Sequence, residues 1–361
     1  LEPQRTNLAS YSVDLDTLLS SGTPTITDNE TTAPDGSNTA SKITQSNNNE
    51  YQSRFLNFYG ISGSTTYTRS IFAKAGEDSI LFLQQYDGTN NYGTYFDLIN
   101  GTKTDSNAAV TSKMENFGDG WYRCSVTYTT ASSAPYERIQ VAIAQSIGVI
   151  PIYQGDGTSG FYIWGAQFEQ GSYPTSYIPT YGSTATRNAE VCNNSGSEQD
   201  FNSEEGVLYA EASAISNLET TAMLFTLNNG TNQSEVQIGF TDSPLRIYTL
   251  VRVSNTVTYS HFQNVTNISD NAKIAVKWKQ DDFCTYINGV KVNSSSSGNT
   301  FSANTLNSLD FLRTPSDFNF YGNVKNLKVF KRALTDGELY LLTVPQYQSY
   351  QEMATALNYT L

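Results

Sequence analysis

Short runs in which apolar and polar residues alternate fill most of the chain. In the run 139–144 the odd positions are apolar, and in the run 122–128 the even positions are apolar. Alternation with a period of two predicts β-strands that each bury one side. The same alternation turns Arg123 and Gln140 toward the outside of their strands.

Clusters of Gly, Asn and Asp separate these runs, which is typical of the turns between antiparallel strands. The first block of predicted strands comprises residues 67–74, 80–86, 92–98, 121–129, 139–144 and 160–169. This succession of short strands predicts an antiparallel sandwich.

A second block with the same rhythm follows. Its predicted strands are residues 207–214, 222–227, 235–240, 245–253, 273–278, 283–287 and 320–329. Asn288-Gly289 predicts a tight hairpin turn. Thr335 and Glu338 have the spacing of a capping box and predict one short helix at the end of the block.

Between residues 170 and 200 the composition shifts to Pro, Gly, Ser and Asn with few apolar runs. We therefore predict an all-β protein with two antiparallel β-sandwich (jelly-roll) domains in tandem and a short C-terminal helical tail. The predicted boundaries are 1–188 for the first domain, 189–206 for a linker, 207–343 for the second domain and 344–361 for the tail.

Composition excludes several functions. The 34 acidic and 21 basic residues leave a net charge of −13, which argues against nucleic acid as a partner. One histidine and three widely spaced cysteines provide no zinc or redox motif, and we expect the cysteines to be buried and unpaired. No stretch approaches the roughly 18 apolar residues of a membrane span, so no membrane insertion is expected.

The segments 120–123, 161–169 and 173–180, with the opening residues 1–8, resemble the jelly-roll, carbohydrate-binding-module-like domains of bacteriophage virion proteins. The resemblance implies that Trp164, Ala166 and Phe168 face the core, with Ile163, Gly165 and Gln167 on the opposite face. Trp164 stands where this family often has a calcium-binding aspartate, which argues against calcium in the first domain.

The second block resembles concanavalin A-like, laminin-G-like sandwiches. The residues that carry this resemblance are 277–281, 286–289, 322–324, 332–335 and Glu338. The resemblance implies that loop acids can hold a structural calcium ion, with Asp242, Asp281 and Asp282 as candidates. No cofactor is expected to be required.

Sugar binding needs aromatic faces for the apolar side of a pyranose and polar side chains for its hydroxyl groups. Candidates on or near outward strand faces are Tyr86, Tyr92, Tyr95, Arg123, Gln140 and Gln167. The alternative interpretation is an ordinary solvated sheet face in a tyrosine-rich chain.

Catalytic signatures are missing from the sequence. Glycoside hydrolysis needs two carboxylates at a defined separation, and Glu50, Glu169, Glu211 and Glu235 are isolated from one another. His261 lacks a lyase motif around it. We therefore predict a protein that is not an enzyme, with a glycan-degrading hydrolase or lyase as the alternative.

The phage-like resemblance implies a virion structural protein in a tail fibre, tail tip or head appendage that attaches to host-surface glycans. The corresponding partners are glycans and other virion proteins, and the location is the extracellular particle. A homo-oligomer is expected, with a trimer favoured by analogy with phage appendages. A purely structural spacer or decoration protein is the remaining alternative.

Overall fold

The computed structural model describes residues 1–19, 21–133, 136–215, 223–313 and 319–345, apart from the side chain of Asn91. The chain divides into two compact units. One is Gln4–Asn188, and the other joins Leu1–Pro3 to Ala189–Leu361. The predicted linker thus belongs to the second unit, whereas the predicted helical tail falls almost wholly outside the described residues.

The first unit contains one short helix, α1 (Leu15–Leu18), and sixteen described strands. These strands are β1 (Arg5–Asn7), β2 (Ser21–Gly22), β3 (Thr25–Thr31), β4 (Ala40–Thr44), β5 (Asn49–Tyr51), β6 (Ser53–Tyr59), β7 (Thr66–Lys74), β8 (Ile80–Tyr86), β9 (Asn91–Asp97), β10 (Thr102–Asp105), β11 (Thr111–Gly118), β12 (Trp121–Thr129), β13 (Tyr136–Ala144), β14 (Ile152–Gln154), β15 (Gly160–Gln170) and β16 (Ala185–Arg187).

Two six-stranded antiparallel sheets form the first sandwich. Sheet I has the order β10-β9-β8-β13-β6-β2, and sheet II has the order β11-β12-β7-β15-β4-β3. Leu81, Leu83 and Val141 of sheet I and Ile71 and Val126 of sheet II belong to one apolar core cluster, which lies between the two sheets. Burying each such side chain contributes about 1.5–3 kcal/mol to folding.

The segment 171–180 crosses the outer face of sheet II and covers its central part, around β7 and β15. The hydroxyl of Thr68 donates to the Gly171 carbonyl at 2.8 Å, and the Thr175 amide donates to the Glu169 carboxylate at 2.5 Å. Outward strand positions beneath this segment are therefore buried rather than solvated.

Strand β15 changes face partway along its length. Gly165 has φ +64°, a left-handed conformation that favours glycine, and the pairing of β15 with β7 shifts register directly after Trp164. Ile163 consequently lies in the core and Trp164 on the outer face, which corrects the prediction for both residues. Phe168 faces the core as predicted.

The second unit contains the helix α2 (Asp336–Thr343) and ten described strands. These strands are β17 (Glu205–Ala214), β18 (Met223–Asn228), β19 (Glu235–Asp242), β20 (Leu245–Val253), β21 (Thr256–Asn264), β22 (Ala272–Lys279), β23 (Phe283–Ile287), β24 (Val290–Ser295), β25 (Ser308–Asp310) and β26 (Gly322–Phe330).

These strands form sheet III, in the order β24-β23-β22-β17-β26, and sheet IV, in the order β21-β20-β19-β18-β25. Thr335 and Glu338 form the predicted capping box at the start of α2, and Leu339 packs on the outer side of sheet III. Asn288 and Gly289 have φ values of 48° and 81° and form the predicted hairpin turn. The predicted all-β class with antiparallel sandwiches is confirmed.

All three cysteines are free. Cys124 and Cys284 are buried as expected, but Cys192 is only partly buried. Within the described ranges, no helix has both the length and the apolar character that a bilayer crossing demands.

Candidate functional site

The outer face of sheet I carries a mixture of aromatic and polar side chains. Strand alternation places Leu83 and Val141 in the core and the neighbouring positions on the opposite side. We call this surface the tyrosine face and define it by Phe55, Asn57, Tyr59, Phe82, Gln84, Tyr86, Tyr95, Tyr136, Arg138 and Gln140.

Three tyrosines from three adjacent strands make a row on this face. The ring centroids of Tyr59 and Tyr136 are 6.1 Å apart, and those of Tyr136 and Tyr86 are 5.9 Å apart. Tyr59 is 75% exposed, whereas the other two rings are half-buried. The row therefore presents aromatic surface that is already held in place by its neighbours.

Arg138 lies beside the tyrosine row and is held by two contacts from β6. Its guanidinium carbon is 4.5 Å from the centroid of the Phe55 ring, and its Nε donates to Oδ1 of Asn57 at 3.0 Å. A cation over an aromatic ring and a hydrogen bond at one edge fix the plane of the guanidinium group.

Two glutamines continue the polar part of the face, and Gln84 pairs with Gln140 across β8 and β13. Nε2 of Gln140 donates to the hydroxyl of Ser53 at 2.6 Å, and Oε1 of Gln84 accepts from the hydroxyl of Tyr51 at 2.9 Å. Side-chain amides that are anchored in this way provide fixed donors and acceptors for hydroxyl groups.

At the far end of the face the aromatic rings are buried. Phe82 and Tyr95 stack with their centroids 4.1 Å apart, and each is only 5% exposed. Burial raises the pKa of the Tyr95 hydroxyl. These two rings therefore support the face from below and offer almost no surface to a ligand.

The structure brings three of the six predicted sugar-binding residues together. Tyr86, Tyr95 and Gln140 lie on the tyrosine face, and Tyr95 is the buried member. The outward placement predicted for Gln140 is correct.

The other three predicted residues lie elsewhere and are buried. Tyr92 faces the core, where its ring stacks on Tyr128 at 5.1 Å. Arg123 is on the outer face of sheet II, where its Nη2 donates to the hydroxyl of Ser70 at 3.0 Å. Gln167 accepts from the Ile178 amide at 2.7 Å. The exposure predicted for Arg123 and Gln167 is therefore wrong, because the segment 171–180 covers that part of the face.

Sequence reasoning missed Tyr59, Tyr136, Arg138 and Asn57. The predicted strand 139–144 begins three residues too late, since β13 starts at Tyr136. The alternating Tyr136, Arg138 and Gln140 would have revealed the polar side of the strand. Strand β6 was missed altogether because no strands were predicted before residue 67.

A separate polar group lies inside the first sandwich. Arg69, Gln85, Tyr128 and Glu137 are buried between the sheets, and Nη2 of Arg69 donates to the Gln140 carbonyl at 3.2 Å. Burial raises the pKa of the Glu137 carboxyl to about 7, against the lowering effects of Tyr128 and Arg69. A cavity of about 20 Å³ beside Arg69 is large enough for one water molecule.

In the second unit, the carboxylate of Glu235 lies between two arginines. Its Oε1 is 3.5 Å from Nε of Arg252 and 3.4 Å from Nε of Arg313. Glu235 is only 1% exposed, and burial raises the pKa of its carboxyl. His261 lies on β21, and its Nε2 is 3.4 Å from Oε1 of Gln263. Two paired arginines and a buried carboxylate are typical of a structural ion-pair network.

The candidate calcium ligands have other partners. Asp281 accepts from the Gly298 amide at 3.0 Å, and Asp282 pairs with Lys277 at 2.6 Å. The described residues contain no group of three or more His, Cys, Asp or Glu side chains that could hold a metal ion. Calcium binding stays a prediction.

Fold and site together define a protein of two β-sandwiches, the first of which presents an aromatic and amide-rich sheet face. No known family model matches the sequence, and no curated protein matches it.

Solved structures similar to the chain include the CBM40 module of the Ruminococcus gnavus IT-sialidase bound to α2,3-sialyllactose, with 16% identity and a TM-score of 0.35 over 43% of this chain and 95% of that one. Chicken galectin 2 has 14% identity and a TM-score of 0.26 over 37% and 95%. Domains LG4-5 of the mouse laminin α1 chain have 10% identity and a TM-score of 0.28 over 81% and 92%. At these scores the similarity adds nothing to the description of the site.

Proposed function

We propose that the protein binds glycans through the tyrosine face of its first sandwich. The observation that carries the proposal is the row of Tyr59, Tyr136 and Tyr86 beside the anchored Arg138. Aromatic rings pack against the apolar side of a sugar ring, while guanidinium and amide groups bind its hydroxyls.

The face is an open sheet surface rather than a deep pocket, so each site buries little of a ligand. We therefore expect weak binding per site. Several copies that bind together would raise the avidity by about 10²–10⁴. A homo-oligomer, with a trimer favoured, is part of the proposal for this reason.

Placement in a phage virion, with other virion proteins as partners and host-surface glycans as targets, rests on the resemblance of residues 120–123, 161–169 and 173–180. We propose attachment without turnover. Support for this comes from Glu235, whose carboxylate is paired with Arg252 and Arg313 and buried.

The test compares two exposed tyrosines of the first unit. Tyr59 is 75% exposed and lies on the tyrosine face, whereas Tyr181 is 80% exposed and is not part of it. We expect Tyr59→Ala to weaken binding on a glycan array at least fivefold, because it removes aromatic contact surface. Tyr181→Ala should bind as the unchanged protein does.

Both variants should unfold at the same temperature as the unchanged protein, since exposed positions change stability by less than about 0.5 kcal/mol. Equal binding by both variants would contradict the proposed site. Products released from any bound polysaccharide would favour the glycan-degrading alternative over attachment.

A further inference from the structure

We infer that the tyrosine face selects glycans that carry a carboxylate, with Arg138 as the group that binds it. This inference rests on the proposed glycan binding and adds the chemical class of the ligand. It starts from the way in which Arg138 is held.

Arg138 uses only part of its hydrogen-bonding capacity within the protein. A guanidinium group has five N–H donors, and the described residues accept only from its Nε, through Asn57 at 3.0 Å. The Phe55 ring lies 4.5 Å from the guanidinium carbon. The edge formed by Nη1 and Nη2 is therefore held in a fixed plane without a partner among the described residues.

The electrostatic surroundings also favour an anionic ligand. No member of the tyrosine face carries a carboxylate, and Arg138 makes no ion pair within the described part of the chain. Arg54, on the other side of the same sheet, does pair with Asp16 at 2.9 Å. An unpaired cation on a sheet face is notable in a chain with a net charge of −13.

A carboxylate matches this arrangement better than a hydroxyl does. Its two oxygens accept two parallel N–H bonds from one guanidinium edge, and these charge-assisted bonds are about twice as strong as neutral ones. A sugar ring against Tyr136 or Tyr86 would place a ring carboxylate next to Arg138, since Tyr86 pairs with Arg138 across the two strands.

The experiment measures binding of the full chain to an array that carries each carboxylated glycan beside the methyl ester of the same glycan. The unchanged protein should bind at least one acid about tenfold more tightly than the matching ester. Arg138→Gln should weaken acid binding far more than ester binding, so that the preference is lost, while Arg138→Lys should restore part of it. Lys113→Gln, an exposed cation on sheet II, makes the same change in net charge and should keep the preference.

The outcomes separate the two proposals. Equal binding to acids and esters, or an equal loss of both in Arg138→Gln, overturns carboxylate selection and leaves glycan binding in place. A stronger preference for sulfated glycans that Arg138→Gln removes also overturns it, because the anion would then be a sulfate. Binding to no glycan on the array overturns the proposed function as well.

Discussion

At the scale of single residues, burial decides which polar side chains of the first unit can meet a ligand. Arg123 and Arg138 both occupy outward strand positions, yet only Arg138 reaches the surface. Arg123 is 5% exposed and bonded to Ser70, whereas Arg138 is half-buried over Phe55. The strand pattern gives the side of the sheet, and the covering segment decides the exposure.

Glu137 leads to a prediction about pH. Its pKa is about 7 in the folded protein and about 4.5 without the fold, so the folded state binds the proton more tightly. The stabilising effect is complete below pH 4.5 and is lost as the pH rises to about 7. Glu137→Gln should remove up to about 3 kcal/mol of this pH dependence.

The measurement is the free energy of unfolding of the first unit, obtained from its urea unfolding transition at several pH values between 4 and 8. Glu30→Gln changes an exposed carboxylate of the same unit and serves as the control. If the free energy of unfolding of Glu137→Gln depended on pH as steeply as that of the unchanged protein, the buried carboxyl would not titrate in this range.

At the scale of secondary-structure elements, alternation and turn residues predicted most strands well. Strands β8, β12, β20 and β23 have the predicted bounds, and the capping box at Thr335 begins α2. The face change in β15 could not be predicted from the sequence. A β-bulge breaks the alternation of faces, and the alternation of residue types does not show where the backbone forms the bulge.

The candidate site was harder to predict than the fold. Tyr86 and Gln140 were found because they lie on strands with clear alternation. Strand β6 has Phe55, Leu56 and Phe58 in near succession, which hides its polar side. The tyrosine row depends on the register between β6 and β13, and the local sequence pattern does not determine which distant strands pair or in which register.

Gly165 provides the prediction for an element. In Gly165→Ala the new Cβ would lie 2.9 Å from the Phe72 ring, in addition to the left-handed backbone. We expect the free energy of unfolding to fall by about 2 kcal/mol or more. Gly148→Ala has a similar φ of +81° and open space around it, so it should lose only about 1 kcal/mol. Equal losses in denaturant unfolding would mean that the Phe72 contact has no effect.

At the scale of the whole molecule, the division between units predicts which segments fold alone. Residues 189–195 belong to the second unit. The backbone N–H of Asn194 donates to the buried Asp310 carboxylate at 2.5 Å, and the backbone N–H of Phe311 donates to the Cys192 carbonyl at 2.8 Å. A segment 189–361 should therefore be more stable than a segment 200–361, by about 1–3 kcal/mol.

Calorimetry of the two segments measures this difference. The segment 4–188 should unfold in one cooperative transition and keep the glycan binding of the full chain. Identical stability of 189–361 and 200–361 would show that residues 189–199 contribute nothing to the second unit.

The opening residues also determine how a pulling force applied at Leu1 would enter the fold. Gly322 donates to the Leu1 carbonyl at 2.9 Å, and Glu190 donates to the Glu2 carbonyl at 3.0 Å. The chain enters and leaves the first sandwich at neighbouring points, because Arg5 pairs with Arg187. Tension applied at Leu1 therefore passes directly into the second unit, and the first sandwich is not stretched until these short contacts open.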